Sequence, residues 1–194
     1  IGVKNPSAMS QEDLEKLLNQ NNCIDCNLLN ADLKELQLNG ALLTGANLTQ
    51  ADLSWSSLFE ADLEEAVMDE ANLSWCNLKS ANLKRSYLRN ATLSLSDMEA
   101  ADLESAYLEN AKLKWVNLRE ARLKATNLNN ADLRWANLKE SNLERANLKK
   151  ANLRNANLFG ANINDAFLDG AKLRGATWIN GKKCQSGSVG KCIQ

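Results

Sequence analysis

The chain has 194 residues, 23 Lys plus Arg against 24 Asp plus Glu, a net charge of −1 and no His. Near-neutrality gives no overall pull toward nucleic acid or an anionic membrane, and the lack of His removes the commonest general base and metal ligand. Apolar runs extend for only a few residues, too short to span a membrane.

Residues 1–8 read as a flexible lead-in, and Ile at position 1 implies that a preceding segment has been removed, as a cleaved signal or by choice of boundary. Residues 10–19 predict a short α-helix. Ser10 is a good N-cap, Glu12 and Asp13 lie in the first turn, and Met9 is placed to staple against Leu14. Leu14, Leu17 and Leu18 are expected to share one face and cover whatever follows. Cys23 and Cys26 form a Cys-x-x-Cys at the joint. A redox dithiol or half a zinc site is one reading, but no βαβ pattern or His accompanies it, so a structural disulfide is favoured.

From Leu28 to Trp178 every fifth residue is apolar: 27 of 31 positions are Leu, the others Met68, Met98, Ile163 and Trp178. Two residues earlier 22 of 31 positions are Ala, and one residue earlier 19 of 31 are Asn or Asp, as in Ala46-Asn47-Leu48. These residues favour helix by propensity, yet a step of five would smear Leu around a helical cylinder and leave no face to bury. In a continuous strand the same odd step sends successive Leu to opposite faces. Each unit must therefore contain its own turn, which Asn and Asp tolerate. The chain then winds as a solenoid with Leu and Ala pointing to its axis.

A second period sets the coil. Trp55, Trp75, Trp115 and Trp135 fall at multiples of twenty, with Leu95 in the gap; Tyr87 and Tyr107 follow Val67 at the same interval. Glu64, Lys84, Glu104, Lys124 and Glu144 alternate in sign at twenty, as stacked opposite charges should. Twenty residues make four units, hence a four-sided coil. About eight coils give a rod of ~37 Å at ~4.8 Å per coil. Cys76 takes a core-facing small-residue position and reads as a buried, inert thiol.

This pattern, uninterrupted over residues 26–180, resembles the pentapeptide repeat family. The resemblance implies an all-β solenoid, specifically a right-handed quadrilateral β-helix, here of about eight coils with a short N-terminal capping α-helix. The chain divides into a lead-in and capping helix (1–22), the β-helix (23–180) and a C-terminal tail (181–194). A solenoid needs its ends covered, and Trp178 is a plausible plug. Cys184 and Cys192, with seven residues between them in a Gly/Ser/Lys-rich tail, suggest a second small disulfide. Paired Cys at both ends argue for an exported, oxidising compartment. Members with a short N-terminal helix and a Cys-bearing tail resemble cyanobacterial proteins of the periplasm or thylakoid lumen.

No catalytic constellation stands out, and no cofactor or metal is expected. Asp62, Glu64, Glu65, Asp69 and Glu70 sit at outward positions and read as a solvated acidic patch, with a Ca²⁺ site as the sharper alternative. Two surface patterns are candidate partner surfaces. One is the column Trp55, Trp75, Leu95, Trp115 and Trp135, whose bland reading is stacking that supports the coils and whose functional reading is a contact edge. The other is the like-charged column Lys114, Arg134, Arg154 and Arg174, either solvating charge or a basic stripe for a polyanion. Residues 1–110 carry 7 basic and 18 acidic residues and residues 111–194 carry 16 and 6, so the rod is polar along its length. The expected role is a non-enzymatic interaction or scaffold protein for an unknown protein partner, monomeric or weakly self-associating. The alternative is a DNA-mimicking, gyrase-binding member, against which the basic C-terminal half counts.

Overall fold

The computed structural model describes residues 9–194; the lead-in at 1–8 lies outside the described residues. Every fifth residue from Asn22 to Asn157 forms a parallel bridge with the residue twenty positions on, Asn22 with Leu42 through Asn157 with Thr177. Each side of a coil thus contributes one paired residue, and each coil stacks on the next with no register slip. Backbone bonds run both ways across each step, as in Leu28 N–H to Asn47 O (2.8 Å) and Asn47 N–H to Cys26 O (2.8 Å).

The corner between sides is a turn closed from the small residue of the next unit to the Leu carbonyl, for example Ala31 N–H to Leu28 O at 3.0 Å. Its third residue sits at positive φ, whatever its type: 58° at Glu35, 61° at Asn130, 64° at Gly40. The turn geometry demands this, and Gly, Asn and Asp meet it at least cost. The residue before each Leu supports the corner: Asp52 Oδ1 accepts from the Ser54 N–H at 3.0 Å, and the same bond recurs at Asp62, Asn72 and Asn142.

Inside, Leu and Ala ladders form one continuous core, nearly all at zero exposure. Where a hydroxyl or thiol replaces Ala it donates to a core carbonyl, so its burial is compensated: Ser56 to Leu33 O (2.6 Å), Thr126 to Leu103 O (2.8 Å), Cys76 to Leu53 O (2.9 Å).

Outside, the Asn side chains form ladders of their own. Asn137 Nδ2 donates to Asn117 Oδ1 at 3.0 Å, and Asn162 to Asn142 at 3.1 Å. An Asp cannot donate, so each Asp whose coil lies above another meets a donor eighteen residues earlier instead. Lys34 reaches Asp52 (3.6 Å), Thr44 reaches Asp62 (3.0 Å), Lys79 reaches Asp97 (3.2 Å), Lys84 reaches Asp102 (3.2 Å) and Lys114 reaches Asp132 (3.6 Å). The converse holds for Asn: acceptors Glu64 and Glu109 receive Asn82 and Asn127 at 2.9 and 2.7 Å.

At the N-terminal end α1 spans Gln11–Gln20, capped by the Ser10 side chain, which accepts from Asp13 N–H at 3.2 Å, and ended by Asn21 at φ 53°. Asp13 Oδ2 accepts from Asn27 N–H (2.9 Å) and Ser10 N–H donates to Asn27 O (2.9 Å), which seats the helix on the first coil. Leu17 enters the core, with Leu14 and Met9 packed against it. Leu18, expected on the same face, is instead 53% exposed; it lies about 100° round the helix from Leu17, and the contact stripe is narrower than that. At the other end the tail does not run free. It returns in antiparallel bridges, Thr177 with Lys183 and Lys172 with Val189, burying Cys184 and Ser188, while Trp178 packs partly buried against the core.

Candidate functional site

The tryptophan column lies along one corner edge of the rod, as the twenty-residue spacing predicts. Trp55 and Trp75 stack with centroids 4.6 Å apart and planes 5° from parallel; Trp115 and Trp135 stack at 4.8 Å and 6°. Leu95 stands between the two pairs. All five occupy the positive-φ corner position, from 58° at Trp135 to 64° at Trp55 and Leu95. A residue with a Cβ pays about 1–2 kcal/mol to sit there, and bulky residues are unusual in it. The four Trp residues are nevertheless 57, 46, 54 and 38% exposed, and Leu95 is 41% exposed.

The basic stripe beside this edge divides into two. Asp132 accepts from Arg134 Nε and Nη2 (2.8 and 2.6 Å) and pairs with Lys114 at 3.6 Å. Burial pushes the Asp132 carboxyl up, but these cations outweigh it and hold the group below the usual carboxylate range, while Arg134 is correspondingly raised. Arg134 also lies 5.8 Å from the Trp135 ring centroid, within cation–π range. Arg154 and Arg174 make no ion pair among the described residues and, with Asn155, line an open concavity of about 340 Å³.

The acidic patch is engaged in ladder bonds rather than gathered into a site. Asp62 accepts from Thr44 and Asn82; Glu64 accepts from Asn82 and contacts Arg85; Glu65 accepts from Arg85 at 2.8 Å; Asp69 accepts from the backbone N–H of Arg89 at 2.8 Å; and Glu70 accepts from Gln50 at 2.8 Å. Among the described residues no group of three or more Cys, Asp or Glu is placed to hold a metal ion. In the alternating column only Lys124 and Glu144 pair directly, at 3.0 Å. Lys84 turns to Asp102 and Glu104 to Arg122 instead. Stacking at twenty does operate in neighbouring columns, as in Lys79 with Glu99 at 3.2 Å.

One cluster reads from the sequence only as a register mark. Tyr87 and Tyr107 stack at 5.0 Å, and the Arg89 guanidinium lies 5.1 and 5.4 Å from their centroids, between Asp69 and Glu109. The signal for it is an Arg two residues after an in-register Tyr, flanked by acids at ±20.

The sulfurs of Cys23 and Cys26, and those of Cys184 and Cys192, lie within disulfide distance of each other. Cys76 is free and buried, and burial pushes its thiol up to about 12.

Comparison with known proteins agrees with the coil geometry. The family model described as Pentapeptide repeats matches in 8 copies, in overlapping segments from residue 22 to 175. Among solved structures, the chain is similar to HetL, a pentapeptide repeat protein of heterocyst differentiation regulation from Nostoc sp. strain PCC 7120, at 27% identity over 90% of this chain and 99% of that one, with a TM-score of 0.41. A trypsin-treated variant of QnrB1, a plasmid-mediated fluoroquinolone resistance protein, matches at 19% identity over 73% of this chain and 69% of that one, with a TM-score of 0.60. A pentapeptide repeat protein of the Arabidopsis thaliana thylakoid lumen matches at 21% identity over 74% and 69%, with a TM-score of 0.17. No curated protein matches the chain.

Proposed function

The chain belongs to the pentapeptide repeat family, whose fold is a right-handed quadrilateral β-helix, and we propose that it acts as a rigid, non-enzymatic interaction rod. On this reading the rod is about eight coils long, α1 closes its N-terminal end, and a protein partner is held on its regular outer surface. The observation that carries the proposal is the tryptophan edge. Four large rings occupy a backbone position that Asn or Gly fills at lower cost, and all remain substantially exposed. Exposed Trp is enriched where binding energy is concentrated.

The working compartment is exported and oxidising, periplasm or thylakoid lumen, and both terminal Cys pairs are disulfides there. The presence of a Cys pair at each end of the chain supports this. Thiol titration of the unfolded, unreduced protein should return one thiol, from Cys76; four or five would overturn the compartment.

Capture from a periplasmic or lumenal extract tests the function. A Trp55/Trp75/Trp115/Trp135→Asn variant keeps the corner geometry and should lose a protein that the unmodified chain retains. Equal capture by both, with unchanged circular dichroism, would refute the edge as a contact surface. A DNA-mimicking, gyrase-binding role is the second reading. QnrB1 shares the fold, but residues 111–194 here carry a net charge of +10, opposite to a duplex surface. Protection of gyrase in a supercoiling assay would reverse this ranking.

A further inference from the structure

The basic excess of the C-terminal half is not spread evenly round the rod. Residues 111–180 carry 13 basic and 6 acidic side chains, net +7. Each side of a coil presents the paired residue before its Leu and the residue just after it, which leans back over the same side, as Arg134 and Lys114 lean to Asp132. On the side of Leu113, Leu133, Leu153 and Leu173 these positions hold Lys112, Lys114, Arg134, Arg154, Lys172 and Arg174 against one acid, Asp132, net +5. The same positions on the other three sides give +2, +1 and 0.

Asp132 is already held by Arg134 and Lys114, whereas Lys112, Arg154, Lys172 and Arg174 are exposed and make no ion pair among the described residues. Lys150, exposed on the opposite corner, adds a seventh cation. The patch covers four coils, three steps or ~14 Å along the rod, and the width of about three extended residues, ~10 Å. Apolar groups border it. Trp115 and Trp135 stand exposed on its corner, and Val189, bridged to Lys172, is exposed at its end.

We propose that this side of the rod lies on an anionic lipid surface and takes headgroup phosphates. The side is flat, because each coil repeats the last without a slip, so cations of its midline and of both corners meet one plane together. A linear polyanion would follow one column and leave the others unmet. Rings beside cations are the pattern of surfaces seated at a headgroup boundary, with Trp at headgroup level and Lys and Arg on the lipid charges. The open concavity of about 340 Å³ lined by Arg154, Asn155 and Arg174 has room for one headgroup. Before Leu95 the same side offers no such charge: it holds one Lys and two Asp, and Lys34 is shared between Asp32 and Asp52. The rod therefore sits with its C-terminal coils deepest. The proposal stands on the cations and does not need the tryptophan edge to hold a protein.

Co-sedimentation of the full chain with vesicles of phosphatidylcholine containing about 30% phosphatidylglycerol should show binding at about 50 mM salt that weakens at least about tenfold at about 500 mM, and none to phosphatidylcholine alone. Each Lys or Arg near an anionic surface contributes about fivefold, so Arg154→Gln with Arg174→Gln should weaken binding about 25-fold, with circular dichroism unchanged. Lys139→Gln with Arg145→Gln removes equal charge from other sides and should weaken it less than about threefold.

The rings report which end lies deepest. In Trp55→Phe with Trp75→Phe, vesicles should shift the emission of the remaining Trp to the blue; in Trp115→Phe with Trp135→Phe they should not. Equal weakening by the two Gln pairs, or no binding at low salt, would overturn the proposal. So would tighter binding through the same arginines to duplex DNA than to the vesicles at equal salt, which would give the side to a linear polyanion.

Discussion

Replacing Asn82 by Asp changes one atom type and no volume, yet it should be among the most damaging single changes on the outer surface. Asn82 Nδ2 donates to Asp62 Oδ1 and to Glu64 Oε2, both at 2.9 Å. Hydrogen bonds to charged acceptors contribute about 1.5–3 kcal/mol each, and the site is half-buried, so losing both costs about 3 kcal/mol. The new carboxylate then stands at contact distance from two others. One such pair at 4 Å repels by up to ~4 kcal/mol at an effective dielectric of 20, and side-chain rotation relieves much of that. We expect about 3–5 kcal/mol of destabilisation at pH 7, read as a lowered urea midpoint. The sign of the pH dependence follows from the neighbours. They raise the folded-state pKa of the introduced carboxyl above its unfolded value near 3.9, so the penalty is present above the folded pKa and disappears as pH falls below the unfolded one. Asn82→Ala, which removes the same two bonds but adds no charge, should lose about 3 kcal/mol with no pH dependence from an introduced carboxyl. Glu64→Lys added to Asn82→Asp places a donor eighteen residues before the new carboxylate, as Lys84 stands before Asp102, and should restore at least half of the loss. A loss at pH 7 below about 1 kcal/mol, or a loss independent of pH, would refute the ladder argument.

Two further outcomes follow from the same geometry. Leu88→Ala, at a fully buried mid-rod position, should cost about 3–5 kcal/mol in chemical denaturation, because a stacked ladder clamped on both sides cannot collapse into the void. Asp132 has its folded pKa lowered, so its contribution is fully present above the unfolded pKa and is lost as pH falls through the folded value; unmodified chain and Asp132→Asn should therefore differ in melting temperature near neutrality and converge toward pH 3, with Asp132→Asn the less stable.

The core and the coil are legible because Leu, Ala and Trp recur at intervals that only one winding accommodates, and burial enforces those intervals at every turn. The direction of individual charges is less so. Stacking at twenty predicts Lys79 with Glu99 and Lys124 with Glu144, and these pairs form. It fails for Lys84 and Glu104, because a side chain just after the Leu leans toward an opposite charge eighteen residues on in the next coil, Asp102 and Arg122. That offset depends on which neighbour lacks a donor, a property of pairs rather than of a period. Leu18 departs from expectation for a related reason: hydrophobic residues within a helix mark a face, but the width of that face is set by what it rests on. The tryptophan edge is visible as a column, yet its backbone strain is not, since positive φ at every corner emerges only once the turn is built.

That strain is common to every corner, so a bulky apolar side chain at one of them needs a reason beyond the turn itself. At the corner position Gly and Asn are cheap, Gln50 and Arg85 are bonded to a neighbouring coil, and Glu60, Ala100, Ala125 and Arg145 bear the same positive φ with polar or small side chains. Two ring stacks return only ~0.5–1.5 kcal/mol apiece beyond area burial, and the stems of Lys or Arg could cover the same neighbouring surface. Stacking alone therefore gives little reason to choose Trp four times over Asn. In a solenoid this regular, where nearly every side chain is explained by the coil above or below it, a set of residues that the coils would be as stable without is the place to look for what the rod does.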